Sequence, residues 1–303
     1  MIQDAPAHPP QASCLSWTSH VDLLFFRAHE NGLDYVIADG HRIRHPKPEA
    51  DLGFRIGFGT TLPHDAWHLT LTWTHLHTDS RAHLEKKVLQ PLWMTIEMPQ
   101  NAFVENARAN WRLHLGLVDL MIAKEKGFGP FLKLSPFFGL RAAFVRQKYR
   151  IEYAGGTLLP DAEDALSMKN KNQGLGLIAG LETLWRLHSG FSLKAKTAFS
   201  LIYGSFYVHQ DEDAAVEIKE RLKFHNIFLL SSAICEIGLG IEWRYFFHKS
   251  SAQLRAYAGI ERAIFFAQNQ FSHFLNPSFP GIQASNQGDL TLEGYAIGLN
   301  LFF

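Results

Sequence analysis

The last sixteen residues, GDLTLEGYAIGLNLFF from Gly288 to Phe303, leave this chain few ways to fold. From Tyr295 onward the alternate positions Tyr295, Ile297, Leu299, Leu301 and Phe303 are large and apolar, with Ala296, Gly298, Asn300 and Phe302 between them. A period of two is the pattern of a strand with one apolar face. The sequence stops on this strand, and an unpaired hydrophobic strand is a pairing hazard that a soluble domain rarely leaves exposed. Two folds accommodate it: the edge of a soluble β-sandwich, or a closed barrel in which the last strand pairs with the first. An apolar face about nine residues long also suits a tilted strand crossing a bilayer.

The same alternation recurs along the chain. A first strand places Leu15, Trp17, Ser19, Val21, Leu23 and Phe25 on one face, blurring from Phe26 to Ala38, and a polar loop follows from His41. Leu52, Phe54, Ile56 and Phe58 alternate with Gly53, Arg55, Gly57 and Gly59; after a turn at Pro63-His64-Asp65, Trp67 to Trp73 alternate with His and Thr. Residues 78–103 read as irregular, with LWMTIEM a short strand or a loop folded inward. Trp111, Leu113, Leu115 and Leu117 then read as an apolar face opposite Arg112 and His114, leaving Asp119 as a misfit on that face. Further strands are expected at 132–144, 175–185, 191–203, 237–245 and 254–260, separated by a polar excursion at 147–172 and an acidic loop HQDEDAAVE.

Short turns and long loops alternate in this series, which is the pattern of an up-and-down antiparallel barrel with tight turns at one end and long loops at the other. The expected fold is therefore all-β, a transmembrane barrel of about 10–12 strands. The segment 1–12, rich in Pro and Ala, is expected to be disordered, with residues 13–303 forming one barrel domain. The faces opposite the apolar ones carry charge. The basic residues are Arg55, Arg112, Lys133, Arg141, Arg186, Lys194, Lys196, Arg244 and Arg255, and the acidic ones are Glu182, Glu236, Glu242 and Glu261. Read as pore-lining, this set has a basic excess that predicts anion preference; read as filling, it would be salt bridges packing a narrow interior. Trp17, Trp67, Trp73, Trp111, Trp185, Trp243 and Tyr245 are expected in the membrane girdle.

Other functions find little support. No run approaches the ~18 apolar residues of a membrane helix. The formal net charge is +0 and the basic residues are scattered, so no nucleic-acid footprint is expected. Two cysteines, Cys14 and Cys235, make neither a disulfide scaffold nor a metal knuckle. His64, His68, His75 and His77 read as rim residues rather than metal ligands, and no cofactor is implied. Ser192, Ser200, His114 and Glu182 are the candidates a barrel hydrolase would need, and no spacing singles them out. MIQDAPAHPPQ lacks the basic and apolar regions of a secretory signal, so export would need a leader removed or a start placed further upstream.

Several stretches together carry a family resemblance: GFRIGFG, PHDAWHLTLTWTHLHT, ANWRLHLGLVDL, LSPFFGLRAAFV, LGLIAGLETLWRL, FSLIYGSF, IGLGIEWRYFF and the terminal GDLTLEGYAIGLNLFF. Their order and spacing resemble the Legionella-type major outer-membrane proteins, relatives of the chlamydial major outer-membrane porins. The resemblance implies an outer-membrane porin or abundant surface protein with no catalytic residues. The terminal alternation of Tyr295, Ile297, Leu299, Leu301 and Phe303 also resembles the signal read by the barrel assembly machinery. The expected function is passive diffusion of small hydrophilic solutes and ions through the barrel; the alternative is a closed structural or adhesive surface barrel. Outer-membrane lipid and the assembly machinery are the expected partners, and a homotrimer would fit a porin.

Overall fold

The computed structural model describes residues 16–62, 67–94, 102–214, 223–247, 252–274, 283–285 and 288–303. In chain order the strands are β1 (Ser16–Glu30), β2 (Val36–Ala38), β3 (Arg42–Arg44), β4 (Ala50–Thr61), β5 (Trp67–Pro91), β6 (Val104–Lys124), β7 (Lys126–Phe128) and β8 (Leu132–Gly155). They continue with β9 (Leu159–Arg186), β10 (Phe191–Ala214), β11 (Lys223–Phe246), β12 (Gln253–Asn269), β13 (Ser272–Phe274), β14 (Gln283–Ser285) and β15 (Gly288–Phe302). The ten long strands form a closed antiparallel barrel in which each pairs with its neighbours in sequence. β1 pairs with β15 from Thr18↔Phe302 to Glu30↔Leu290 and closes the ring, so the terminal strand has no free edge.

Side-chain alternation sorts the two faces. Outward residues are apolar and open: Phe58 is 65% exposed, Leu177 67%, Leu201 53% and Tyr295 66%. A soluble sandwich would bury this face, whereas a bilayer solvates it. The band has a lower edge at Trp17, Trp67, Trp185 and Trp243, next to the short turns. Its upper edge lies where Phe25 gives way to Arg27, Trp73 to His75 and Phe144 to Arg146. Aromatic rings at the turn end suit an interface that is apolar on one side and wet on the other.

The strands run far beyond that band. β9 has 28 residues and β8, β10 and β11 have 24 each, against the 9–11 a bilayer needs. Several expected loops are thus walls. The polar excursion at 147–172 is the upper part of a hairpin that turns between Gly155 and Leu159, where Gly155 and Gly156 take φ of +75° and +73°. β5 carries residues 78–91 of the supposed irregular stretch, and Asp211 and Glu212 of the acidic loop belong to β10. Polarity does not mark a loop here, because a strand above the membrane is polar outside and needs no apolar outer face. Residues 1–15, including Cys14 and Leu15, the turn at 63–66, residues 95–101, 215–222 and the turn at 248–251 lie outside the described residues.

Candidate functional site

Inside the band, the interior carries ion pairs set up by strand register. Asp22 on β1 faces Arg55 on β4 as a cross-strand partner. Arg55 donates from Nη1 to Asp22 Oδ2 at 3.1 Å and from Nη2 across to Glu261 Oε2 on β12 at 2.7 Å. A Cβ at Gly298 would collide with the Asp22 carboxylate, so glycine there makes the space this acid occupies. On the other wall Asp119 and Arg141 are register partners on β6 and β8. Arg141 grips Asp119 in a fork, Nε to Oδ1 and Nη2 to Oδ2, both 2.7 Å, and reaches Ser200 at 3.1 Å and Glu236 at 2.9 Å. Its guanidinium thus ties β6, β8, β10 and β11 together while remaining 2% exposed. Bidentate charge-assisted bonds of this kind fix geometry as well as charge.

Nearer the turns, Lys194 pairs with Glu182 at 3.0 Å, Lys133 with Glu125, and Arg244 donates to Ser192 at 3.3 Å. Arg255 stacks over the Phe302 ring at 4.0 Å and lies 3.9 Å from Glu242. Among these groups sits a cavity of about 520 Å³. Its walls include Thr70, Thr72, Thr74, Lys196 and Glu236, and its far end meets Leu24, Phe26, Leu115, Leu117, Phe265 and Leu292.

That far end is an apolar layer. Leu24, Phe26, Leu76, Leu115, Leu117, Val145, Ile202, Ile234, Phe265 and Leu292 are each at most 5% exposed, and they come from eight different barrel strands. Above it lies an amide layer in which Gln147 donates to Glu30 at 2.8 Å, Asn170 to the Gln268 carbonyl at 2.8 Å and Asn172 to the Gln268 side chain at 3.2 Å. Gln268 enters through an irregularity in the β12–β15 register, where Ala267 takes φ of +52° and its N–H is caught by Asp289 at 2.9 Å. Burial holds the Glu30 carboxyl well above the usual carboxylate range, the Gln147 hydrogen bond opposing this only in part. Residues 33–38 and 92–94 fold over the mouth, held by Tyr149 donating to the Leu33 carbonyl at 2.6 Å, Tyr153 to that of Tyr35, and Trp93 to that of Asp34.

Of the charged residues named from sequence, Arg55, Lys133, Arg141, Glu182, Arg186, Lys194, Lys196, Glu236, Glu242, Arg244, Arg255 and Glu261 sit on inward positions of their strands. Arg112 does not. It lies on the outer face 3.4 Å from Asp79, and Trp111, expected in the girdle, is buried inside at 1% exposed. On β6 the apolar face is the interior one, because the interior is itself apolar at this height. With that face reversed, Asp119 ceases to be a misfit. Asp22 and Asp119 also join the interior acids, so the basic excess shrinks. Register was the missing signal: both acids are cross-strand partners of arginines.

The hydrolase candidates do not come together. Ser200 accepts from Arg141, Ser192 accepts from Arg244, Glu182 pairs with Lys194, and His114 stacks on His77 on the outer wall at 4.1 Å. Among the described residues no three His, Cys, Asp or Glu side chains gather to hold a metal. His68 bonds Thr18 and Thr61 inside the barrel, while His64 lies outside the described residues.

A sequence model described as Legionella pneumophila major outer membrane protein precursor matches residues 10–303. No curated protein matches the chain. Among solved structures, the chain is similar to the outer membrane protease OmpT from Escherichia coli at 12% identity, covering 95% of this chain and 96% of that one with a TM-score of 0.44. A major outer membrane protein from Thermus thermophilus matches at 9% identity, 96% and 100% coverage and a TM-score of 0.31. The Pseudomonas putida toluene transporter TodX matches at 7% identity, 97% and 90% coverage and a TM-score of 0.31.

Proposed function

This chain belongs to the Legionella pneumophila major outer membrane protein family and is an integral β-barrel of the bacterial outer membrane; we propose that it is a closed structural barrel, its tall far-end walls forming part of the cell surface. The observation that carries this reading is the apolar layer. Ten side chains from eight strands meet across the interior, each nearly inaccessible. An ion entering such a layer would lose most of its hydration to walls that are mainly apolar, with only neutral polar neighbours such as Thr74, Asn172 and Ser232 beside them, at a cost on the order of several kcal/mol. The interior charges below the layer are largely paired with one another, which is how a narrow barrel fills its lumen.

A diffusion pore is the second reading, favoured by the cavity of about 520 Å³ with its charged and threonine-rich walls. In that reading the apolar layer must part for solutes to pass. Planar-bilayer recording of the purified, refolded protein separates the two. The closed barrel gives no stepwise conductance at 1 M salt, whereas regular steps at low voltage would overturn it in favour of the pore. Phe26→Ala combined with Leu117→Ala removes bulk from the layer and should raise leak above the wild-type baseline.

A further inference from the structure

Just above the lipid-facing band, the outer wall over β6, β8 and β9 carries two rows of basic side chains. Arg146 on β8 lies opposite Lys171 on β9, and His114 on β6 lies opposite Arg146. One step higher, Lys148 lies opposite Lys169, and Arg112 opposite Lys148. Directly below on β8 is Phe144, 47% exposed, beside Gln173 on β9, and one step lower on β9 is Leu175, 59% exposed. The rows therefore sit where lipid chains end and headgroups begin.

Like charges directly opposite on paired strands are destabilising. Elsewhere the fold relieves such contacts. On the opposite wall Arg27 and Arg262 are both register partners of Glu293, so an acid separates the two cations. Arg112 has Asp79 at 3.4 Å. Among the described residues no carboxylate lies within ion-pair distance of Arg146, Lys148 or Lys169, and Lys171 rests over the Tyr207 ring at 5.6 Å. Strands are about 5 Å apart and same-face neighbours about 7 Å along a strand, so the four cations bracket an area the size of one phosphate group.

We propose that Arg146, Lys148, Lys169 and Lys171 form a cradle for a phosphate on the headgroup of the glycolipid in the surrounding outer leaflet. Acyl chains of the same lipid would lie down the apolar wall past Phe144 and Leu175. Arginine supplies a forked donor set to the phosphate oxygens and lysine supplies point charge, and both act more strongly beside a low-dielectric membrane than in open water. The site does not depend on whether the barrel conducts.

Thermal unfolding of the purified protein in neutral detergent tests this, with bisphosphorylated lipid A as the probe. The expected result is a rise in midpoint that saturates with bisphosphorylated lipid A and is absent with the same lipid stripped of its phosphates. Arg146→Gln combined with Lys171→Gln should weaken half-saturation at least tenfold. Without lipid, that variant should be as stable as the wild type or more so, because a repulsion has been removed. Arg27→Gln with Arg262→Gln, on the opposite wall, should leave the response intact. An equal rise with dephosphorylated lipid, with inorganic phosphate alone or with phosphatidylglycerol vesicles would overturn the assignment, as would an unaltered response in the double variant.

Discussion

Trp17 and Phe303 exchange both of their backbone hydrogen bonds, Phe303 N to Trp17 O at 2.9 Å and Trp17 N to Phe303 O at 3.3 Å. The last residue is thus the lowest rung of the seam that closes the barrel, and its ring stands outward, 61% exposed, in line with Tyr295, Ile297 and Leu299. Removing it takes away the final rung and the terminal aromatic together. Deletion of Phe303 should lower the amount of folded protein in the outer membrane without changing synthesis. Heat-modifiability on gels of membrane fractions measures this, and wild-type levels would rule out a role for this end in assembly.

The outer face makes a second prediction, about depth. Leu201 lies within the apolar band on β10, whereas Ser167 lies on the same outer surface above it, opposite Arg150 on one side and Asp211 on the other. A charge against lipid costs about 2–4 kcal/mol near the midplane and about 0–1 near the interface. Leu201→Arg should therefore shift the urea midpoint in lipid vesicles strongly, and Ser167→Arg hardly at all. Equal shifts would mean that the band has been placed at the wrong height.

Much of this fold is legible in residue order, and the limits of that legibility are physical. Strands such as Leu52 to Phe58 alternate cleanly because lipid lies on one side and a polar or glycine-lined interior on the other. The pattern breaks at Leu23-Leu24-Phe25-Phe26, where both faces are apolar, and this break marks the height at which the interior becomes dry. On β6 the two effects exchange places: Trp111 to Leu117 are apolar because they point inward, while the wall outside is already polar. Periodicity reports that the faces differ and cannot report which one meets lipid. The partnering of Asp119 with Arg141 needs the register between strands, which a single strand does not encode.

The Asp119–Arg141 fork sets the third prediction. Both groups are almost fully buried, and Arg141 also holds Ser200 and Glu236. Taking away one partner leaves a buried charge without its counter-ion, which costs about 3–5 kcal/mol. Asp119→Asn should be destabilising by that order, and so should Arg141→Met, since it strands Asp119 and Glu236. The double variant Asp119→Leu, Arg141→Met should recover part of the loss, because no unpaired charge remains at the fork itself. A double variant as unstable as the sum of the singles would show that the fork contributes by packing alone.

Glu30 makes stability depend on pH with the sign opposite to an ordinary surface acid. It stands at the top of β1, above the apolar band, and accepts from Gln147 Nε2 at 2.8 Å through one carboxylate oxygen, while the other finds no donor. Burial raises its ionisation well above the ordinary value of 4.5. Below that value both folded and unfolded chains carry the proton, and there is no penalty. As pH rises further the unfolded chain releases it while the folded chain keeps it, so the native state binds more protons and stability falls, by about 1.4 kcal/mol per pH unit at most. The fall ends once pH passes the raised folded value. Glu30→Gln keeps an acceptor for Gln147 and removes the ionisation, and its amide offers the donor that the neighbouring unpaired Gln147 Oε1 lacks. The variant should match the wild type near pH 4.5 and exceed it at higher pH. Urea midpoints of the refolded proteins at pH 4.5, 6 and 8 give the comparison, and a constant difference across the series would mean that Glu30 ionises inside the barrel as readily as it does in water.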